Sequence, residues 1–273
     1  MHKPYRGNAD TYVIPSYEPA PGLGLLPINA FLIKAKEPVL VDTGMAKDRK
    51  EFLMTLWSLI DPKELKWVFM THEDGDHAGN LPEVMEAATG ARLVTNFLGV
   101  AKLKASWDMP LNRVYLVNPG QSFNAGDRQL TALRPPLFDS GATHGLYDAK
   151  MSAFFSVDSF GALIQQPAED AGDVPQADFK RGFGIFNQAN HPWTPLVDQG
   201  KFEVVLERIR RMEVKTIFSS HLPAAHGQTD SLLKGLSAIP SMEPFVGPDQ
   251  AALEAMLKQI AHTAPSGSAP GRA

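Results

Sequence analysis

The sequence contains no cysteine among its 273 residues. This absence excludes disulfides, thiolate-bound zinc, iron–sulfur clusters and rubredoxin-type iron, so any metal must be bound by nitrogen and oxygen. Long basic runs are also absent, and the formal net charge is −4. The chain therefore has no electrostatic footprint for nucleic acid or for an anionic membrane surface, and we expect neither partner.

Long apolar runs are missing as well. No stretch approaches the ~20 apolar residues that span a bilayer, and the N-terminal residues 1–8 lack the apolar core of a signal peptide. We therefore expect a cytoplasmic protein. With 44% apolar residues, the chain can build one sizeable core. We expect one domain over residues 1–262 and a disordered tail over residues 263–273, which are rich in small residues and proline.

One segment, Thr71–Asn80, concentrates chemically active side chains: two histidines and three acidic residues occupy six consecutive positions. It follows an apolar run that is typical of a buried strand ending in a polar loop. His72, Asp74 and Asp76 alternate along the chain and can converge on one side, whereas His77 must point elsewhere. Because clustered carboxylates repel one another unless a cation neutralises them, the segment predicts a metal site rather than a solvated acidic loop.

Other polar residues stand where predicted strands end or inside apolar strands. Asp158 interrupts a strongly apolar strand and needs a cation or several donors. Asp42 fits either an ordinary turn aspartate or a carboxylate that orients a metal ligand. His144 lies in a predicted loop, where a surface histidine is the usual interpretation. His221 follows a predicted strand, and His226 is a competing ligand for which a surface position is the better interpretation.

The order of the predicted elements indicates a layered α/β architecture. Residues 15–24 are interpreted as an irregular lead-in rich in proline and glycine, followed by a hairpin of strands at 29–33 and 38–44. Helices and strands then alternate from residue 49 to residue 117, and β-hairpins follow. This mixture favours a layered α/β fold over a doubly wound sheet or an all-β sandwich.

Taken together, the polar positions resemble those of the metallo-β-lactamase fold superfamily across residues 25–225. The resemblance implies an α/β fold of the metallo-β-lactamase type, a four-layer αββα sandwich. Most members carry a His-x-His-x-Asp-His motif and hold zinc, but Asp74 stands here at the second histidine position. A carboxylate at that position, followed by Gly79 and Asn80, is similar to the flavodiiron proteins and their oxygen-binding di-iron relatives. Residues 155–161 resemble the strand that carries their bridging aspartate.

This resemblance implies two metal ions. The first would be held by His72, Asp74 and His144, the second by Asp76, His77 and His221, with Asp158 as the bridge and Asp42 orienting a ligand. Asp74 is one methylene shorter than the glutamate of those families, so it would reach its metal at longer range, through water, or not at all. Mixed imidazole and carboxylate ligands suit iron, with zinc or manganese as alternatives.

The sequence leaves three functions open. The first is a dinuclear non-haem di-iron protein that binds or reduces oxygen or nitric oxide. The alternative is a metal-dependent hydrolase of an ester, lactone or phosphoester that uses a metal-bridging hydroxide. A third is a binding or sensor protein without turnover. Because the chain ends about where the di-iron domain of a flavodiiron protein would end, we expect no flavodoxin domain, no flavin and a separate electron-donor protein.

Contacts to a small-molecule substrate or dioxygen are expected from two loops, at residues 138–146 and 183–193. His191 and Trp193 lie among aromatic residues in the second loop and are candidates for a substrate lid. A packed segment without a catalytic role is the alternative interpretation. A homodimer is also left open.

Overall fold

The computed structural model describes the backbone of residues 1–263 and the side chains of residues 1–258. Two β-sheets lie face to face, with helices on both outer sides. The tail predicted over residues 263–273 lies outside the described residues, apart from Thr263, which ends the last helix. No helix in the described part of the chain is both long and apolar enough to cross a bilayer.

The first sheet has seven strands arranged in sequence order. The first four pair antiparallel and the last four pair parallel. These strands are β1 (Tyr5–Arg6), β2 (Thr11–Ala20), β3 (Gly24–Ile33), β4 (Val39–Val41), β5 (Trp67–Phe69), β6 (Arg92–Thr95) and β7 (Val114–Leu116).

The second sheet has six strands. They are β8 (Ser122–Asn124), β9 (Gln129–Leu133), β10 (Gly145–Asp148), β11 (Ala153–Val157), β12 (Thr216–Ser219) and β13 (Ala225–His226). Their spatial order is β13-β12-β11-β10-β9-β8. The β11 and β12 strands are parallel, whereas their neighbours pair antiparallel.

The described residues contain eight α-helices. They are α1 (Arg49–Leu59), α2 (Gly75–Ala78), α3 (Leu81–Ala87), α4 (Phe97–Leu103), α5 (Gln176–Asn190), α6 (Gln199–Arg210), α7 (Thr229–Ala238) and α8 (Gln250–Thr263). Apolar side chains of α1 and α3 pack on the first sheet, and those of α5, α6 and α7 pack on the second.

Three buried apolar clusters separate the four layers. Successive strand side chains point to opposite faces, so Phe31 lies between the two sheets while Leu32 faces the helices of the first sheet. In the same way, Phe155 lies between the sheets and Phe154 faces the helices of the second. Burial stabilises each of these large side chains by about 1.5–3 kcal/mol. The four-layer α/β sandwich expected from the sequence is confirmed.

Two predicted segments are wrong. Residues 15–24, interpreted as an irregular lead-in, form most of β2 and the turn into β3. Proline is tolerated there because β1 pairs with β2 only near residues 12 and 13, so Pro15 and Pro19 need no hydrogen-bond donor toward a second neighbour. The expected loop at residues 183–193 is instead helical as far as Asn190 in α5.

Candidate metal centre

The predicted polar positions meet where strands of both sheets end. In the first sheet β4 and β5 are parallel neighbours, and Asp42 and His72 follow their carboxyl ends. In the second sheet β11 and β12 are parallel neighbours, and Asp158 and His221 follow their carboxyl ends. Loops at the carboxyl ends of parallel strands are the usual place for ligand sites in α/β proteins.

Asp42 is fully buried and fixes the ring of His77. Its Oδ1 accepts a hydrogen bond from the Thr71 backbone N–H at 2.9 Å, and its Oδ2 accepts from the Thr71 hydroxyl at 2.8 Å. The same Oδ2 accepts from His77 Nδ1 at 2.8 Å. A histidine whose Nδ1–H is held by a carboxylate presents Nε2 as the metal-binding atom. The Asp42 carboxylate therefore fixes the His77 ring through Nδ1.

Asp158 is projected by a distorted strand end. The register between β11 and β12 shifts between Phe155 and Val157, and Val157 has a φ of 59°. Positive φ is unfavourable for a β-branched residue, and such strain is typical of functional sites. The Asp158 side chain is 4% exposed, and its Oδ2 accepts a hydrogen bond from Asn190 Nδ2 at 3.0 Å.

One group of donor atoms, the His77 group, consists of Asp76, His77 and His221. Asp158 Oδ1 lies 3.2 Å from Nε2 of each histidine. Asp76 Oδ2 lies 3.6 Å from His77 Nε2 and 3.5 Å from His221 Nε2. The Nδ1–H of His221 donates to the Pro27 carbonyl at 2.8 Å, so both imidazoles turn Nε2 toward the carboxylates.

A second group, the His72 group, consists of His72, Asp74 and Asp139. His72 Nε2 lies 3.7 Å from Asp74 Oδ2 and 3.9 Å from Asp139 Oδ1. It also lies 3.7 Å from Asp158 Oδ2. This group opens to solvent, because the Asp74 side chain is 50% exposed. Each oxygen of Asp158 thus faces a different group.

Asp139 was not predicted as a ligand. It lies inside the expected substrate loop at residues 138–146, where no histidine spacing marks it, and the tertiary fold brings it to His72. Burial raises the pKa of its carboxyl group, and the nearby Asp158 carboxylate raises it further. The pKa of Asp74 is lowered, mainly by its contact with His72.

The structure does not bring His144 into either group of described donor atoms. Its ring packs edge-on against Phe69, with the centroids 4.7 Å apart. Its Nδ1 lies 2.7 Å from Asn96 Nδ2, and burial lowers its pKa to about 4. His226 is also apart from these groups, since its Nδ1 lies 2.6 Å from the Asp170 carboxylate on the surface.

His191 and Trp193 lie just beyond α5. His191 is fully buried, neither of its ring nitrogens has a hydrogen-bond partner, and burial lowers its pKa to about 4. The Trp193 ring is partly exposed and packs 6.1 Å from His191 and 5.9 Å from Phe138, measured between centroids. This segment lies next to Asp158, which accepts a hydrogen bond from the neighbouring Asn190.

The donor atoms fit a metal ion. His72 Nε2, His144 Nε2 and Asp158 Oδ1 are buried without hydrogen-bond partners, and an unsatisfied buried polar group costs about 1–3 kcal/mol. Burial alone would raise the pKa of Asp158, yet the imidazoles of His221 and His77 hold it well below its usual range. Asp158 is therefore held as a carboxylate. Imidazole and carboxylate donors suit iron, manganese or zinc.

This fold and this cluster define a candidate metal centre of the metallo-β-lactamase type. A family model described as "ODP family beta lactamase" matches residues 26–222, and the chain belongs to that family. Together with its similarity to flavodiiron proteins, this places the chain in the flavodiiron branch of the superfamily, as predicted from the motif.

Two curated relatives and one solved structure illustrate the similarity. Flavo-diiron protein FprA2 of Clostridium acetobutylicum is 37% identical over 199 residues, which cover 71% of this chain and 48% of that protein. Rubredoxin-oxygen oxidoreductase of Megalodesulfovibrio gigas is 26% identical over 147 residues, which cover 54% of this chain and 37% of that protein. The chain thus spans half or less of these two relatives.

The flavodiiron protein of Giardia intestinalis superposes with a TM-score of 0.77 at 18% identity, over 88% of this chain and 60% of that one. At this identity the superposition shows a shared fold.

Proposed function

We propose that this chain forms the dinuclear iron centre of an oxidoreductase that binds and reduces dioxygen or nitric oxide. The observation that carries the proposal is the position of Asp158, whose two oxygens face separate groups of imidazole and carboxylate donors. A carboxylate in that position can serve two cations at once. Similarity to proteins named as a flavo-diiron protein and a rubredoxin-oxygen oxidoreductase supports iron and oxygen chemistry.

The residues proposed to hold the metals are those that the fold brings together around the bridge: His72, Asp74, Asp76, His77, Asp158 and His221. Two iron ions bound there would supply the electrons and the open coordination positions for a diatomic substrate. Asp42 and the Pro27 carbonyl hold His77 and His221 with Nε2 facing inward. Ligand rings that are fixed before the metal binds lose little freedom on binding, which strengthens the site.

Aromatic side chains pack on one side of the site. His191 is fully buried, and the Trp193 ring packs against Phe138. The exposed side of Asp74 leaves an approach to the His72 group. We propose that dioxygen or nitric oxide reaches the centre from this side, while the packed aromatic wall limits the entry of water.

We also propose that the electrons come from a donor outside these 273 residues. The chain has no cysteine, so its own side chains cannot build an iron–sulfur or disulfide relay. One relative's name pairs rubredoxin with oxygen, which supports a small electron-transfer protein as the donor class.

The test begins with protein produced with supplemented iron. We expect about two iron ions per chain and a change in the visible spectrum when the anaerobically reduced protein meets oxygen or nitric oxide. Sustained oxygen consumption should require an added reductant. The opposite result is a protein that carries only zinc, whose iron form ignores both gases and whose zinc form cleaves esters, lactones or phosphoesters efficiently. That result would replace the proposal by a hydrolase.

A further inference from the structure

Glu73 is the one acidic residue of the segment Thr71–Asn80 that belongs to neither group of donor atoms. We propose that Glu73 is a positioning residue, which fastens the loop of residues 139–144 to this segment and so stabilises the metal position beside His72. This inference rests on the dinuclear centre proposed above, and it assigns a residue that acts on only one of the two positions.

The Glu73 carboxylate is turned away from the donor atoms. Its neighbours His72 and Asp74 face each other, with His72 Nε2 3.7 Å from Asp74 Oδ2. Because successive side chains of an extended segment point to opposite sides, Glu73 points the other way. Its side chain is only 16% exposed, so its charge needs partners within the protein.

Two side chains from other parts of the chain supply these partners. Ser140 Oγ donates to Glu73 Oε1 at 3.0 Å, and Lys102 of α4 forms an ion pair with the same oxygen. Lys102 Nζ also donates to Ser140 Oγ at 3.0 Å. Each of the three side chains thus contacts the other two, and we call this set the Glu73 latch.

Ser140 is the residue of the latch whose hydroxyl is fully used. It is buried, it donates its single proton to Glu73, and it accepts from Lys102 and from the Ala142 backbone N–H at 3.1 Å. A serine hydroxyl has one proton and two acceptor lone pairs, so no hydrogen-bonding capacity is left. The bond between Ser140 and Glu73 therefore links the two loops in one defined geometry.

The loop that the latch fastens carries two residues directed at the metal position beside His72. Asp139 Oδ1 lies 3.9 Å from His72 Nε2. His144, a predicted ligand of the same metal, is fully buried, and its Nε2 has no hydrogen-bond partner among the described residues. The His144 N–H donates to the Thr71 carbonyl at 3.0 Å, which holds one end of the loop. The latch holds the other end, next to Asp139.

The latch acts on one metal position. Within the described part of the chain, none of its three side chains forms a hydrogen bond or an ion pair with Asp76, His77 or His221. Ligands that are held in place before a metal binds strengthen the site. Without the latch, the loop is free to move away from His72, and the ion there should leave faster while the other ion stays.

The experiment follows the release of metal from the cobalt(II)-loaded protein to a chelator, by visible absorption. Ser140→Ala removes the hydrogen bond but keeps every charge, so it should release one of the two ions about 10-fold faster, since losing a supporting partner of a ligand costs 10–100-fold. Lys102→Met should have a smaller effect, about 2- to 3-fold, because this lysine is half exposed.

Two controls accompany these variants. Ser140→Thr keeps a hydroxyl and should restore slow release. Glu83→Ala removes a carboxylate that is paired with Arg49 outside the latch, and it should release both ions as the wild type does. The double variant of Glu73→Ala and Ser140→Ala should release the ion no faster than Glu73→Ala alone, because two residues that act through one bond are not additive.

Anomalous maps of cobalt-loaded Ser140→Ala crystals identify the affected position. We expect reduced occupancy beside His72 and full occupancy at Asp76, His77 and His221. Unchanged release in Ser140→Ala and Lys102→Met, or equal acceleration at both positions, would overturn the positioning role, because a general loss of stability does not select one ion. Additive effects of Glu73→Ala and Ser140→Ala would overturn it as well.

The proposed function fails on a different result. A protein that shows the selective release with cobalt, but whose iron form ignores oxygen and nitric oxide, would keep the latch and lose the oxidoreductase. A wild type that binds no pair of metal ions would overturn the centre and the latch together.

Discussion

The two groups of donor atoms that share Asp158 differ in how their imidazoles are held. In the His77 group, both rings are anchored through Nδ1, one by the Asp42 carboxylate and the other by the Pro27 carbonyl. In the His72 group, the single ring has only the Thr71 hydroxyl near Nδ1, at 3.3 Å. That hydroxyl donates in turn to Asp42 at 2.8 Å, so Asp42 supports one ring directly and the other through Thr71.

Because of this difference, we expect the two groups to bind their metal ions with different strength. A ligand whose ring is fixed by a charged partner binds metal more firmly, so we expect the His77 group to retain its ion and the His72 group to exchange it more readily. The His72 group also has the half-exposed Asp74, which leaves space for a substrate or solvent molecule. The following substitutions test this contrast, from the largest expected effect to the smallest.

Replacing Asp158 with Asn should abolish the contrast by emptying both positions. One carboxylate faces both groups, and an amide supplies neither the charge nor the second oxygen ligand. Metal analysis should show both ions lost together, with Asn190→Ala as a control that removes only the hydrogen bond to Asp158. Two ions retained per chain would make Asp158 a structural aspartate.

Replacing Asp42 with Asn should weaken the His77 group most. The asparagine amide is uncharged, and only one of its two terminal atoms can accept a hydrogen bond from His77 Nδ1. Losing a charged partner of a ligand histidine lowers metal affinity by about 10–100-fold. Because Asp42 also accepts from the Thr71 backbone, folding should be checked by thermal unfolding with chelator present. Unchanged affinity in competition titrations would contradict the orienting role of Asp42.

Replacing Asp74 with Ala should affect the other group. It should lower metal occupancy beside His72 alone. We expect a loss of about 10-fold or more, comparable with the loss of a supporting partner, because the side chain is half exposed and water can replace it. Anomalous maps should show the position at Asp76, His77 and His221 still filled. Full occupancy at both positions would remove Asp74 from the ligand set.

Replacing Thr71 with Val should have the smallest effect, a few-fold loss at the His72 group. The substitution removes the hydroxyl next to His72 Nδ1. It leaves the hydrogen bond that the Thr71 backbone N–H donates to Asp42. Its matched control is Thr71→Ser, which keeps the hydroxyl and should bind both ions as the wild type does. A larger loss at the His77 group than at the His72 group would show that Thr71 acts mainly by placing Asp42.

The local sequence predicted the elements whose pattern is complete within a short segment. The apolar run that contains Phe31 and Leu32 and predicts a strand is visible in the chain itself, and so is the crowding of histidines and carboxylates after β5. The β2 strand was missed because it contains prolines, which lack a backbone N–H. They are acceptable here only because the neighbouring β1 is too short to reach them. That condition depends on the arrangement of the sheet.

What the sequence determined by itself was the class of fold and the kind of donor atoms available, because side-chain periodicity and the absence of cysteine are local properties. The tertiary structure decided which distant residues meet. Asp139 joins His72 across 67 positions, while His144 turns to Phe69 and Asn96. The sequence spacing of Asp139 and His144 does not show which of the two lies beside His72. Only the packing of two loops from different sheets places one carboxylate beside the imidazole and leaves the other ring in the core.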